Sequence, residues 1–281
     1  MTLAAGCAQQ ESAMEMTGQV VRLAVCQTLC IDGDREGNYR RIENALEIAS
    51  AQGAELACFP EAAVLGWVNP DAYQLAHPIP GRTSDRVAEL ARRYRMMVAI
   101  GIAETDGDQL YDSAVLVGRD GALLLKHRKI NTIVELLDPP YARGVPGEIK
   151  VVDTEVGRVG MLICADTFVE ELVRGVGRQS PDLLIVPFGW AAKKEMWPDH
   201  GKKLAQVVSR AAKWAGCPVV GTDLVGMITS GPWKGRTYGG QSVVADRAGE
   251  VLAVLRDRDT DVRVLEVPIG PMDRVDSAPG P

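Results

Sequence analysis

Val159-Gly160-Met161-Leu162-Ile163-Cys164-Ala165-Asp166-Thr167 joins a continuous apolar run to a polar turn, the pattern of a buried β-strand that ends on a cysteine. A thiol there sits at a strand's carboxyl end, where a following helix can aim its amino terminus at the sulfur and stabilise thiolate. Two other apolar runs also end on charged side chains, in Phe59-Pro60-Glu61 and in His127-Arg128-Lys129. A nucleophile, a carboxylate and an ammonium therefore come from three separate strands to one candidate pocket.

Working outward from that stretch, strand and helix patterns alternate. Residues 20–27 and 55–59 have strand character, and 38–52 between them carries Ile42, Ala45, Leu46 and Ala49 at helical spacing. Residues 83–95 predict a helix that buries Val87, Leu90 and Ala91 and leaves Arg86, Arg92 and Arg93 solvated. Strands follow over 97–103, 113–117 and 122–126, the last two joined by the hairpin turn Gly118-Arg119-Asp120-Gly121. Segment 131–148, with Pro139-Pro140 and Pro146-Gly147, predicts an ordered loop over the site.

Beyond it, strands over 151–153 and 158–163 precede a short helix over 170–177. A buried strand over 182–187 leads to a helix over 201–215 with Leu204, Val207 and Val208 on its apolar face. Strands over 217–222, 242–245, 251–254 and 262–267 complete the order. Strands with helices between them predict a layered α/β sandwich in one domain over 19–270, between tails at 1–18 and 271–281.

The 281 residues carry 31 basic and 37 acidic side chains, a net charge of -6 without a block of consecutive basic residues. That balance disfavours a nucleic-acid or anionic-membrane surface and leaves a small molecule as the expected partner. No apolar run reaches the roughly 18 residues of a membrane span. Cys26, Cys58, Cys164 and Cys217 lie in or beside apolar segments and are expected reduced. Leu3-Ala4-Ala5-Gly6-Cys7 resembles the end of a lipoprotein signal, yet only six residues precede Cys7. The chain as written predicts a cytoplasmic protein with a free tail; the alternative is a lipid anchor at Cys7 outside the cytoplasm, if the true start lies upstream.

A cysteine attacking a carbonyl or nitrile carbon needs a base for its proton, a donor for the oxyanion and an acid for the leaving nitrogen. Glu61, Lys129 and Cys164 can supply all three, helped by the backbone N–H of Ala165.

The three motifs, in this order and at these separations, resemble the nitrilase superfamily of carbon–nitrogen hydrolases. The resemblance runs from Val20 to about Val267 and takes in Asp182-Leu183-Leu184-Ile185-Val186-Pro187 with Trp190, and the segment from Gly240 to Gly249. It implies a four-layer αββα sandwich, a Glu-Lys-Cys triad and dimers or higher homo-oligomers that pair sandwiches, with no cofactor and no metal. By motif match Glu61 is the base, Lys129 the oxyanion-side donor and Cys164 the nucleophile. A second glutamate that positions the lysine is expected in the following loop, at Glu135 or, as the alternative, Asp138. Ala165-Asp166 stands where nitrilases commonly carry Trp-Glu, which points to an amide or carbamoyl substrate. Thr167 and Phe168 replace carboxylate-binding arginines of some carbamoyl-amino-acid hydrolases.

Each of these residues also has a plainer reading. Cys164 alone on an apolar strand reads as a packed thiol, and only the company of Glu61 and Lys129 makes it a nucleophile. Lys126 and Arg128 read as surface charge. Trp190 and Trp67 suit either a pocket wall or the core. Cys26 and Cys30 have no second Cys/His pair at zinc spacing, and the glycine-rich stretch 230–240 reads as a turn near the site's mouth. Two rival functions remain: an acyltransferase that captures the same thioester with an amine, and an inactive binding protein of the same fold.

Overall fold

Asp34 starts the first helix: its carboxylate accepts the Gly37 N–H at 3.0 Å, so the helix begins three residues before the apolar periodicity becomes visible. In the computed structural model, which describes residues 19–270, the chain divides into two halves, each built around one large sheet. The first runs β1 (Gln19–Gln27), β2 (Leu29–Cys30), α1 (Arg35–Ala51), β3 (Leu56–Cys58), α2 (Ala72–Leu75), α3 (Arg82–Tyr94), β4 (Met97–Asp106), β5 (Gln109–Val117) and β6 (Leu123–Arg128). The second runs β7 (Val151–Thr154), β8 (Gly157–Met161), α4 (Glu170–Gly177), β9 (Leu183–Phe188), β10 (Ala191–Ala192), α5 (Asp199–Ala215) and β11 (Val219–Asp223). It ends with β12 (Val225–Met227), β13 (Thr237–Gly239), β14 (Val243–Ala245), β15 (Val251–Val254) and β16 (Asp261–Ile269).

Two six-stranded sheets form, in the orders β16-β1-β3-β4-β5-β6 and β15-β14-β11-β9-β8-β7. β1, β3 and β4 run parallel, which obliges α1 and α3 to cross over one face. Along β1 the side chains alternate between two cores. Leu23 and Val25 join Met161, Ile185 and Val186 of the facing sheet, with Leu204 and Val208 of α5 behind them. Ala24 and Cys26 join Ile42 and Leu46 of α1 and Leu90 of α3. Both faces of each sheet are thus covered, giving the α–β–β–α layering expected from the sequence.

The halves interlock because β16 returns to pair antiparallel with β1 along its full length. A third, four-stranded sheet, β10-β13-β12-β2, corrects the reading of 230–240 as turn alone. Its strands of two or three residues are too short for alternation to register. Segment 131–148 has no strand; it holds single helical turns at Val134–Leu136 and Pro146–Glu148. The five described cysteines are unpaired and buried. Among the described residues no helix is long and apolar enough to cross a membrane. The readings for Cys7 and for the tails 1–18 and 271–281 fall outside the described residues.

Candidate active site

Because β5 runs antiparallel to both β4 and β6, β6 points the same way as β3, and the carboxyl ends of β3 and β6 emerge at one edge of their sheet. Glu61 follows β3. Its N–H donates to the Phe188 carbonyl at the end of β9, so the two sheets meet beside this residue. The Pro60 carbonyl accepts from Gly101 N–H at 2.9 Å, and Gly101 C=O accepts from Ala63 N–H at 2.9 Å. A Cβ on Gly101 would stand 2.5 Å from Glu61 Cα, so this close passage of two backbones requires glycine.

Lys129 follows β6, and the pleat sorts the charge cluster around it. Lys126 and Arg128 turn to Glu104, at 2.7 Å each, while Lys129 turns inward. Lys129 N–H donates to the Asp112 carbonyl at 2.8 Å. Its Nζ donates to Glu61 Oε1 and, at 3.1 Å, to Asp112 Oδ2. The Trp67 ring lies 5.1 Å from the ammonium, within cation–π range. Glu61, Lys129 and Cys164 are 0%, 2% and 6% exposed, so all three side chains are buried.

Cys164 follows β8 and opens a helical turn, Cys164–Phe168, with its own backbone at φ 42°, a left-handed conformation that costs a non-glycine residue on the order of 1–3 kcal/mol. Asp166 holds the turn in that shape. Its Oδ2 accepts from Ile163 N–H at 3.1 Å and faces His127 Nε2 at 2.8 Å; its Oδ1 accepts from Ile130 and Asn131 N–H at 2.9 and 2.7 Å. One buried carboxylate therefore ties the chain on both sides of Lys129 to the turn that carries Cys164.

The electrostatics correct one expectation. α4 begins at Glu170, past the cysteine turn, and does not cap the sulfur. Burial, followed by the negative charge of Glu61, pushes the Cys164 thiol well above its usual range; the Lys129 charge and the Gly189 N–H facing the sulfur oppose this only in part. Burial and the Asp112 charge likewise push the Glu61 carboxyl well above the carboxylate range. For Lys129 burial acts downward, but Glu61 and Asp112 outweigh it and hold the ammonium protonated. Glu61 Oε2 is buried without a hydrogen-bond partner, and an added Cβ on Gly189 would lie 2.9 Å from it. Gly189 thus passes close to the free carboxylate oxygen.

The structure brings Glu61, Lys129 and Cys164 into one buried cluster. Ala165 lies beside them, 3% exposed, with its carbonyl accepting from Asn131 Nδ2 at 2.8 Å. Trp190, next to Gly189, donates its backbone N–H to Asp223 Oδ1 at 2.6 Å and stacks on His200 with ring centroids 5.0 Å apart. It meets Phe168 edge-on at 5.7 Å, one wall of an aromatic group at the cysteine turn.

Glu135 and Asp138 are not brought to Lys129. Both are exposed and line a surface cleft of about 480 Å³ with Pro70, Leu136, Leu137 and Pro232. The second carboxylate on Lys129 is Asp112, from the middle of β5. Sequence reasoning missed it, along with the Asp166 anchor and Gly189. The available signal was Tyr111-Asp112-Ser113-Ala114, a carboxylate at the entry to an apolar strand, which needs a partner as Glu61 does.

A thiol, a carboxylate and an ammonium lie buried together where two facing sheets meet in a four-layer α/β fold. Comparison with known proteins makes the family explicit: the carbon-nitrogen hydrolase model matches residues 22–275, and the chain belongs to that family, within the nitrilase superfamily. It is a hydrolase acting on carbon–nitrogen bonds other than peptide bonds. A nitrilase of Pyrococcus abyssi is 29% identical over 236 residues, covering 82% of this chain and 83% of that protein. Omega-amidase NIT2 of Bos taurus is 30% identical over 181 residues, 59% of this chain and 62% of that protein. Several other curated relatives are matched over about half of their length. Among solved structures, a mutant amidase from Nesterenkonia sp. AN1 superposes with a TM-score of 0.76 at 21% identity, covering 90% of this chain and 92% of that one. It carries a covalent adduct of the acetamide moiety of fluoroacetamide on its active-site cysteine.

Proposed function

We propose that the protein is a cysteine amidase that hydrolyses a small carboxamide or carbamoyl compound through a thioester. The observation that carries this reading is the buried Glu61–Lys129 pair beside Cys164, with Glu61 Oε2 left without a partner. That oxygen takes the thiol proton while Sγ bonds to the carbonyl carbon and the C=O electron pair moves onto oxygen. The Lys129 ammonium and the Ala165 N–H stabilise the oxyanion. Glu61 then gives its proton to the nitrogen, the C–N bond breaks, and ammonia or an amine leaves. Water, losing a proton to Glu61, attacks the thioester; the C–S bond breaks and the sulfur regains a proton.

Burial of both groups suits this sequence. The formal charges of Glu61, Asp112, Lys129 and the neutral Cys164 thiol sum to one negative charge, and moving the thiol proton to Glu61 leaves that sum unchanged. No additional charge has to be desolvated at the first step. An amide is preferred to a nitrile because Ala165 stands at the tryptophan position of nitrilases and because Asp166 is committed to backbone donors and His127. The adduct on the Nesterenkonia amidase cysteine supports the same chemistry. Self-association to at least a dimer belongs to the same reading, and the edge strand β15, with exposed Val251, Leu252 and Val254, offers an apolar surface for it.

The test is ammonia release from a panel of amides, carbamoyl compounds and nitriles, with Cys164→Ala as blank. Turnover of an amide by the wild type and none by the variant is expected. Turnover confined to nitriles, or sustained release by the variant, overturns the reading. Hydroxylamine added as acceptor separates hydrolysis from acyl transfer by the hydroxamate formed.

A further inference from the structure

We propose that Asp112 is a positioning residue of this site: it holds the Lys129 ammonium in place while Glu61 exchanges its proton, so that the cation keeps an anionic partner throughout the cycle. The inference rests on the hydrolytic reading above and deepens it.

Asp112 grips Lys129 twice, by its carbonyl on the backbone N–H at 2.8 Å and by Oδ2 on Nζ at 3.1 Å. Main chain and side chain of Lys129 are therefore set by one residue on a neighbouring strand. The carboxylate is 2% exposed, and its Oδ1 is buried without a partner. An anion kept in such surroundings needs the cation beside it. Glu61 also faces Lys129, but Glu61 is the group that must accept the thiol proton. Once protonated it no longer offers Nζ an anionic partner, and Asp112 is the carboxylate that remains. It keeps the ammonium aimed at the oxyanion while Glu61 is neutral.

Asp112 also repels a second negative charge on Glu61, which favours the proton's arrival there. The titratable groups facing Asp112 are Glu61, Lys129, Cys164 and the buried Tyr141. Glu135 and Asp138, on the surface cleft, do not share this work.

The test is Asp112→Asn, which preserves shape and removes the charge. Two readouts are taken: steady-state ammonia release, and the pH dependence of Cys164 alkylation by iodoacetamide, which needs no substrate. We expect kcat to fall roughly ten- to a hundredfold with KM little changed, as for loss of one charge-assisted hydrogen bond. The acid limb of alkylation should move to lower pH, because Glu61 loses the neighbour that raised its proton affinity. Asp112→Glu, restoring the charge, should recover part of both effects. Unmoved alkylation limbs in Asp112→Asn overturn the assignment whatever happens to kcat, since a merely structural residue would lower activity without shifting them. Should Asp112→Asn fail to fold, Asp112→Ser is measured in the same way with the same criteria. If no amide is hydrolysed and the limb still moves, the hydrolytic reading fails while the role of Asp112 stands.

Discussion

His127 Nε2 lies 2.8 Å from Asp166 Oδ2, and both side chains are buried. This contact is one of four that Asp166 makes, and together they fix the distance between the strand end carrying Lys129 and the turn carrying Cys164. Removing the carboxylate leaves three backbone N–H groups without this acceptor, one buried and two part-buried, against a cost of about 1–3 kcal/mol for a fully buried group. Asp166→Ala should therefore lose about 3 kcal/mol or more of folding free energy, read from urea denaturation. Asp166→Asn keeps one carbonyl oxygen and should lose less. Equal stability of wild type and Asp166→Ala would show that the anchor is dispensable.

Gly101 controls the base from a different strand. An alanine there meets Glu61 Cα at 2.5 Å and Ala62 N at 2.8 Å, both backbone atoms that cannot rotate away. The Glu61 loop must shift, and a displacement near 1 Å in a catalytic group costs on the order of a hundredfold in rate. Gly101→Ala should reduce kcat far more than it reduces the melting temperature, measured side by side on the purified variant. A variant with wild-type turnover would mean that the loop relaxes without moving the carboxylate.

Much of this site was legible because each of its three principal residues terminates an apolar run, and a charge at the end of a buried strand must be explained. The helices with a clear apolar face, α3 and α5, were equally legible. Asp112 was not, because residues 109–112 were left out of the strand, whereas β5 starts at Gln109. Glu135 went astray for the opposite reason. Spacing along a proline-rich loop says nothing of side-chain direction, and the turn at Val134–Leu136 points it to solvent. The pairing of β16 with β1 depends on contacts between chain ends that no local pattern carries.

Glu61 serves both halves of the proposed cycle, so its amide variant should be impaired in both. Glu61→Gln keeps the volume and can still accept from Lys129, but it cannot take the thiol proton. With a chromogenic anilide, wild type and variant should differ in the first turnover and in the steady state, each by roughly a hundredfold or more, the range for general acid–base catalysis. Loss confined to the steady state would leave another group as the base for thiol attack, and stopped-flow absorbance distinguishes the two.

The buried thiols set a limit on alkaline stability whose sign follows from their surroundings. Burial raises Cys26, Cys30, Cys58 and Cys164 above the ordinary thiol value of 9.0, and Cys217 to about 12. An acid whose folded value is raised contributes stability that is fully present below the unfolded value and lost above it, because the unfolded chain then ionises while the folded one cannot. Stability should therefore be insensitive to these groups up to about pH 9 and fall beyond it by about 1.4 kcal/mol per pH unit for each thiol. Urea titrations at pH 8, 9 and 10 read the slope. Cys217→Ala, at a site remote from Glu61 and Lys129, should reduce it by one thiol's share, and a slope unchanged in that variant would exclude Cys217 as a contributor.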